Sequence, residues 1–378
     1  MGGLQVFVPK EQNDKRAAAT PATVEALKKL NVDVLVEQGA GMGAGISDDD
    51  YKQAGASMGT RMEGMQNSHV ICAVNPPQIP ELELLKKGTV WASFLVPQDS
   101  IELIRQAQKN YISLFSMNLI PRISRAQKMD ALSSQTALAG YKAVILAAAQ
   151  IGKAFPLQMT AAGTLQPAKV VVLGAGVAGL AAIATAKRLG ALVEASDVRP
   201  AAKEQVESLG AKFIEVPFDK DAEDKGGYAK AASPEFLKRQ AEEVDKRLKT
   251  ADIVITTALI PGRKAPILIT EEQVKGMKRG SVIVDMAAAA GGNCACTVPG
   301  ETSEKHGVFI IGKKNIPSTI AVHSTELYAK NMLHFISGVI KNGFLNINKE
   351  DEVYRESLIT ENGQITNHSV KQLVEGVK

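Results

Sequence analysis

The chain has 378 residues, with 44 Lys+Arg against 40 Asp+Glu, 45% hydrophobic and 22% charged. This is the composition of a folded protein of two or three domains and not of a disordered tail. A net charge of +4, with cations interspersed among acids, leaves no basic stripe for nucleic acid. The first ten residues lack the basic and apolar stretches of a secretory signal, and the three cysteines (Cys72, Cys294, Cys296) are too sparse for a disulfide framework, so a cytoplasmic location is expected.

Along the first third, β-rich runs at 4–8, 32–36, 70–74, 89–93 and 111–115 alternate with helical patterns near 21–30, 47–54, 80–86 and 98–109. Residues 125–150 then read as one long helix, interrupted only by Gly140. At 1.5 Å per residue it would run about 39 Å and could bridge two domains. A second series follows, with strands at 169–173, 192–196, 212–216, 252–257, 281–285 and 307–311 and helices near 177–189, 201–209, 234–248 and 270–277. Residues 320–340 are helical again and return to the first domain, leaving a less regular tail. Such alternation predicts an α/β chain of two Rossmann-like domains with parallel sheets and a nucleotide cleft between them. The expected division is 1–125 plus 320–378, a connecting helix 126–150, and a nucleotide-binding domain 151–319.

The strand Lys169–Leu173 runs into Gly174-Ala-Gly176-Val177-Ala-Gly179 and then a helical stretch. A GxGxxG alone is weak, but here a strand precedes it, a helix follows, and a second strand ends at Asp197, close to the ~20-residue spacing of the acid that binds the adenosine ribose. Gly174 permits the sharp turn, Gly176 lets backbone approach a pyrophosphate, and Gly179 lets helix pack on strand. The free N–H groups and positive dipole end of the helix suit phosphate. Asp197 favours NAD over NADP, whereas the nearby Arg199 is of a type that can hold a 2′-phosphate. The second glycine cluster, Gly39 to Gly45, has the wrong spacing and reads as a tight turn.

Oxidation of an alcohol or amine needs a proton acceptor beside the nicotinamide. The five histidines sit in no recognisable motif, and Cys294-Ala-Cys296 is too closely spaced for zinc, so no metal site is expected. The densest polar run is Arg122-Ile-Ser-Arg-Ala-Gln127-Lys-Met-Asp130-Ala-Leu-Ser133-Ser134-Gln135. As a helix it would place Gln127, Asp130, Ser134 and Ala137 on one face beside Ser133, suited to a carboxamide and ribose. A capped, solvated helix start explains the same residues without a ligand.

Several stretches together match one family: the run from Pro121 to Gln135, Ala161-Ala-Gly-Thr164, Gly174–Gly179, Asp197-Val-Arg199, Lys203–Gly210, Gly226–Lys230 and Thr256–Gly262. Over essentially its whole length the chain resembles the NAD(H)-binding component (domain I) of proton-translocating NAD(P)+ transhydrogenase alpha subunits. The resemblance implies hydride transfer between NAD(H) held here and NADP(H) held on a partner component. It also implies coupling to proton movement through a membrane-spanning component, a homodimer of this chain, and a location peripheral to the inner membrane. By the same resemblance Arg122, Gln127, Asp130 and Ser133 surround the nicotinamide and its ribose. Val177, Asp197, Val198 and Arg199 lie on the adenosine and pyrophosphate side, and Gly227, Gln240 and Leu259 make further cofactor contacts. Tyr228 resembles the tip of a loop that closes on the nucleotide. The family's P-K-E-x4-E-x-R-V pattern is kept at Pro9-Lys10-Glu11 and lost at Lys15-Arg16-Ala17.

Two alternatives stand beside this reading. Alanine dehydrogenases share the build but carry a Lys and a His where this chain has Val74-Asn75-Pro76-Pro77 and Ser93-Phe94-Leu95. A non-catalytic NAD-sensing module would use the same turn without needing Gln127 or Asp130.

Overall fold

The computed structural model describes residues 3–215, 234–259 and 262–376. It divides into two compact units, one of Met1–Gln135 with Ser318–Lys378 and one of Thr136–Pro317. Among the described residues, no helix is long and apolar enough to cross a membrane.

The described residues of the first unit form an eight-stranded sheet, in the order Ser57–Gly59, Asp33–Glu37, Gln5–Val8, Val70–Cys72, Val90–Ser93, Ser113–Ser116, Leu358–Glu361, Gln364–Ile365. The first six are parallel and the last two antiparallel. Alternate side chains fill a core on each face, as expected of a sheet covered on both sides. Val6, Val34, Val70 and Phe115 pack with Val24 of helix Pro21–Lys28 and with Tyr328, Met332 and Phe335 of helix Ala321–Val339. Phe7, Leu35, Ile71 and Trp91 pack with Met65 of helix Arg61–Asn67 and Ile104 of helix Ile101–Lys109.

Among its described residues the second unit repeats this plan in a seven-stranded sheet, ordered Lys212–Phe213, Leu192–Ser196, Lys169–Leu173, Ile253–Thr256, Val282–Asp285, Val308–Ile311, Thr302–Lys305, antiparallel only at the last strand. Its central strands, KVVVL, IVIT and VIVD, are β-branched and buried on both faces. In each unit the first strand is central, the next two step outward on one side, and the chain then crosses to the other. Each sheet therefore has a switch point at the carboxyl ends of two strands, after Val8 and Cys72 in one unit and after Leu173 and Thr256 in the other.

Two expectations need correction. The helix over 125–150 is two elements, a 3-10 segment Ser124–Met129 and an α-helix Ala131–Gln150. Asp130 separates them at φ −71°, ψ 80°, because its carboxylate turns inward to accept from Ser133 N at 2.8 Å and Ser133 Oγ at 2.6 Å. That is a helix cap, and it removes Gln127 from the helical face. The tail is regular: Leu358–Glu361 and Gln364–Ile365 extend the first sheet, flanked by helices Glu352–Ser357 and His368–Glu375. The expected parallel sheets are present, with antiparallel strands closing one edge of each.

Gly140 has a packing reason. A Cβ there would lie 2.1 Å from the Ala178 carbonyl oxygen, so this helix runs hard against the first turn of helix Val177–Arg188. Gly140→Ala should therefore lower stability through overpacking by about 1–3 kcal/mol. A denaturant midpoint unchanged from wild type would contradict that contact.

Candidate functional site

The second unit's switch point carries the glycine turn. Gly174 has φ 99°, and a Cβ on it would meet Thr257 Oγ1 at 2.5 Å. The Thr257 hydroxyl donates to the Gly174 carbonyl at 3.0 Å, so the strand after the crossover ties down the turn at the centre of the sheet. A Cβ on Gly179 would lie 1.9 Å from the Gly174 oxygen, which only glycine avoids. Around Gly176, at the N-cap of helix Val177–Arg188, no atom of the described residues lies within 4 Å of a Cβ. The turn thus presents an open face of backbone at a helix N-terminus, and this fits a pyrophosphate.

Asp197 is the second anchor. Its Oδ2 accepts from Ala175 N at 2.7 Å and Arg199 Nη2 at 3.1 Å, and its Oδ1 accepts from Arg199 N and Nε, each at 2.9 Å. A carboxylate offers about four acceptor positions, so a ribose hydroxyl would have to share or displace one of these donors. Gln240 Nε2 donates to Ser196 Oγ at 3.0 Å, beside Asp197. Val198 is half-buried, whereas Val177 and Leu259 are exposed. The stretch beside Leu259 is held by Asn293, whose Nδ2 donates to the carbonyls of Ala258 and Pro266, each at 2.8 Å. Gly227 and Tyr228 lie outside the described residues.

In the first unit, Arg122 and Gln127 are exposed, and Asp130 and Ser133 are joined as the helix cap. The switch point of this sheet is filled by the protein itself. Glu11 Oε1 accepts from Val74 N at 2.5 Å, and Oε2 from Asn75 N at 3.3 Å and Asn75 Nδ2 at 2.8 Å. Burial pushes this carboxyl up to about 7, against the lowering effect of those donors, with the neighbouring Asp14 charge adding to the rise. Asp14 is engaged by Arg16, whose Nη1 donates to Gln135 Oε1 at 2.9 Å, and Gln135 Nε2 donates to the Ser324 carbonyl at 3.0 Å. The glycine cluster after Asp33–Glu37 is a packed turn, where a Cβ on Gly43 would meet the Lys15 carbonyl oxygen at 2.5 Å.

Sequence reasoning therefore locates the glycine turn and its acid but misses Thr257, Ser196, Asn293 and Glu11. Thr257 and Glu11 stand inside recognisable runs. Their partners lie 83 and 63 positions away, and no local signal announces them.

The Alanine dehydrogenase/PNT family models match this chain at residues 7–139 for the N-terminal domain and 143–368 for the C-terminal domain. An NAD(P) transhydrogenase subunit alpha polypeptide of Rhodospirillum rubrum is 48% identical over 374 residues, covering 96% of this chain and 97% of the relative. The crystal structure of transhydrogenase from Sinorhizobium meliloti is similar at a TM-score of 0.88 and 45% identity, over 96% of this chain and 99% of that one. An L-alanine dehydrogenase structure shares the fold at a TM-score of 0.82 and 24% identity, over 99% of this chain and 100% of its own. The chain belongs to the Alanine dehydrogenase/PNT family.

The raised Glu11 pKa has a measurable consequence. The folded protein holds this proton more tightly than the unfolded chain does. The stabilisation is therefore complete below the ordinary value of 4.5 and is lost as pH rises through about 7. Between pH 5 and 8 the melting temperature should fall several degrees more for wild type than for Glu11→Gln. Parallel profiles for the two proteins would contradict the burial of this carboxyl.

Proposed function

We propose that this member of the Alanine dehydrogenase/PNT family is the NAD(H)-binding component of a proton-translocating transhydrogenase. The observation that carries the reading is the open Gly174–Gly179 turn, held from one side by Thr257 and from the other by Asp197. In this reading the turn binds the pyrophosphate at Gly176 and Val177. Asp197, Val198 and Arg199 take the adenosine ribose, and Gln240 and Leu259 add contacts. The transhydrogenase relatives support it through 42–48% identity over nearly the whole chain.

NADH bound here gives a hydride to NADP+ held by the partner component, leaving NAD+ and NADPH. No proton to or from water enters that exchange, so the chain needs no general base. Its residues position and exclude: Arg122, Gln127, Asp130 and Ser133 hold the nicotinamide end, with Gln127 also facing the second nucleotide. The coupling to proton translocation lies with a membrane-spanning component, which places this chain peripheral to the inner membrane on the cytoplasmic side.

Self-association is supported by the hairpin of Gln158–Thr160 and Gly163–Leu165. All of its residues are exposed, including Met159 at 77% and Leu165 at 53%. A lone two-stranded hairpin is marginal in water, and apolar tips of this kind suit an interface with a second copy.

The alanine dehydrogenase reading fares worse at two positions. Asn75 is spent on Glu11, and Phe94 packs against Tyr328 with ring centroids 5.1 Å apart. Glu11, a carboxyl that burial holds near neutrality, is turned onto Val74 and Asn75 and is already engaged by three donors there.

Two substitutions test the reading. Asp197→Ser removes a charged acceptor from the turn and should weaken NADH binding about tenfold or more, while narrowing the preference over NADPH. Nucleotide fluorescence titrations measure both, and unchanged affinity would remove Asp197 from the site. Gln127→Asn should leave NADH affinity within about twofold yet slow hydride transfer to the partner's nucleotide about tenfold or more. Equal losses in affinity and transfer would argue against a role toward the second ring.

A further inference from the structure

The segment from Arg122 to Asp130 carries the polar groups assigned above to the nicotinamide end, but it has little structure of its own. Its 3-10 turn makes weak i→i+3 bonds, such as Asp130 N to the Gln127 carbonyl at 3.3 Å. The Arg125–Asp351 ion pair beside it is half exposed and contributes little. Ala126 is buried in the core, while Gln127 and Lys128 are exposed.

A buried polar fastening reaches this segment from the long helix Ala321–Val339. Asn331 on that helix is only 8% exposed and sits one residue from Met332 in the core. Its Nδ2 donates to the Lys128 carbonyl at 2.8 Å, and its Oδ1 accepts from Ser134 Oγ at 2.7 Å. One planar amide thus spans the break at Asp130, gripping the residue after Gln127 on one side and the first turn of the next helix on the other. The two contacts require a donor and an acceptor at fixed separation. Leucine has the shape but neither function, and aspartate keeps the acceptor but sets a carboxylate oxygen against a carbonyl oxygen.

We propose that Asn331 is a positioning residue for hydride transfer, fixing the Gln127–Asp130 turn at the distance from the reacting rings that transfer needs. This rests on the reading of that turn as the nicotinamide end. Reaction rates respond steeply to misplacement of positioning groups, whereas the pyrophosphate turn is held by other residues, Thr257 and Asp197.

The test uses the full chain assembled with its NADP(H)-binding partner, following NADPH-driven reduction of an NAD+ analogue. Asn331→Leu should slow transfer about tenfold or more while the NADH dissociation constant stays within about twofold. Combined with Gln127→Asn, it should cost little beyond the larger single loss, since both act through one turn. Asn331→Asp gives a second arm should the leucine variant fold poorly. Its transfer rate should recover relative to wild type as pH falls, because a protonated acid can again donate to the Lys128 carbonyl. A merely structural defect would lower stability without that recovery. If Gln127→Asn slows transfer but both Asn331 variants match wild type, Asn331 does not set the turn, and the functional reading stands. If Gln127→Asn transfers at the wild-type rate, the reading of the turn falls and the inference falls with it.

Discussion

The candidate site depends on the approach of Gly179 to the carbonyl of Gly174, where a single Cβ would fall 1.9 Å from the oxygen. That contact lets the helix start directly at the end of the strand, so its free N–H groups face outward at the switch point of the sheet. Thr257 and Asp197 then secure the turn from the two neighbouring strands, one on each side of the central one. The open space around Gly176 follows from this arrangement, because these groups hold the loop from behind and none covers its front.

The two units share one order of parallel strands and use it differently. In the second, the switch point is lined by glycine, and no other described residue comes within 4 Å of a Cβ on Gly176. In the first, the equivalent place after the central strand receives Glu11, whose carboxylate caps the backbone of Val74 and Asn75. Lys10, just before it, is held by Glu37 through its N–H at 2.7 Å and by Arg61 through its carbonyl at 3.0 Å. The place that carries an exposed glycine turn in one copy is thereby filled in the other, with the cost of a desolvated carboxyl near neutrality.

Much of this was legible in the sequence because the signals are local. The run KVVVL followed by GAGVAG specifies strand, turn and helix by β-branching, glycine spacing and small residues, and the second strand ends at Asp197 as the ribose-binding pattern requires. The break at Asp130 was only half legible: a capped helix start was one reading of the run, but good helix formers flank Asp130, and only its side-chain bonds to Ser133 fix the cap at that residue. The last strands do carry a signal: Asn362-Gly363, with φ of 50° and 76°, is a hairpin turn sequence between two β-rich pairs. The helix Arg61–Asn67 has its own mark in the Thr60–Glu63 capping box. Asn331 and Glu11 are beyond sequence reasoning, because each acts on backbone brought near only by the finished fold.

The central claim is that this chain exchanges hydride with a nucleotide on another protein and performs no acid–base chemistry of its own. Mixing it with the separately expressed NADP(H)-binding component, and following reduction of an NAD+ analogue by NADPH, tests this most directly. The account predicts fast turnover only when both proteins are present, with no reduction of NAD+ by this chain and an amino acid alone. Amino-acid-dependent reduction of NAD+ by the isolated chain, without transfer from NADPH in the mixture, would contradict it.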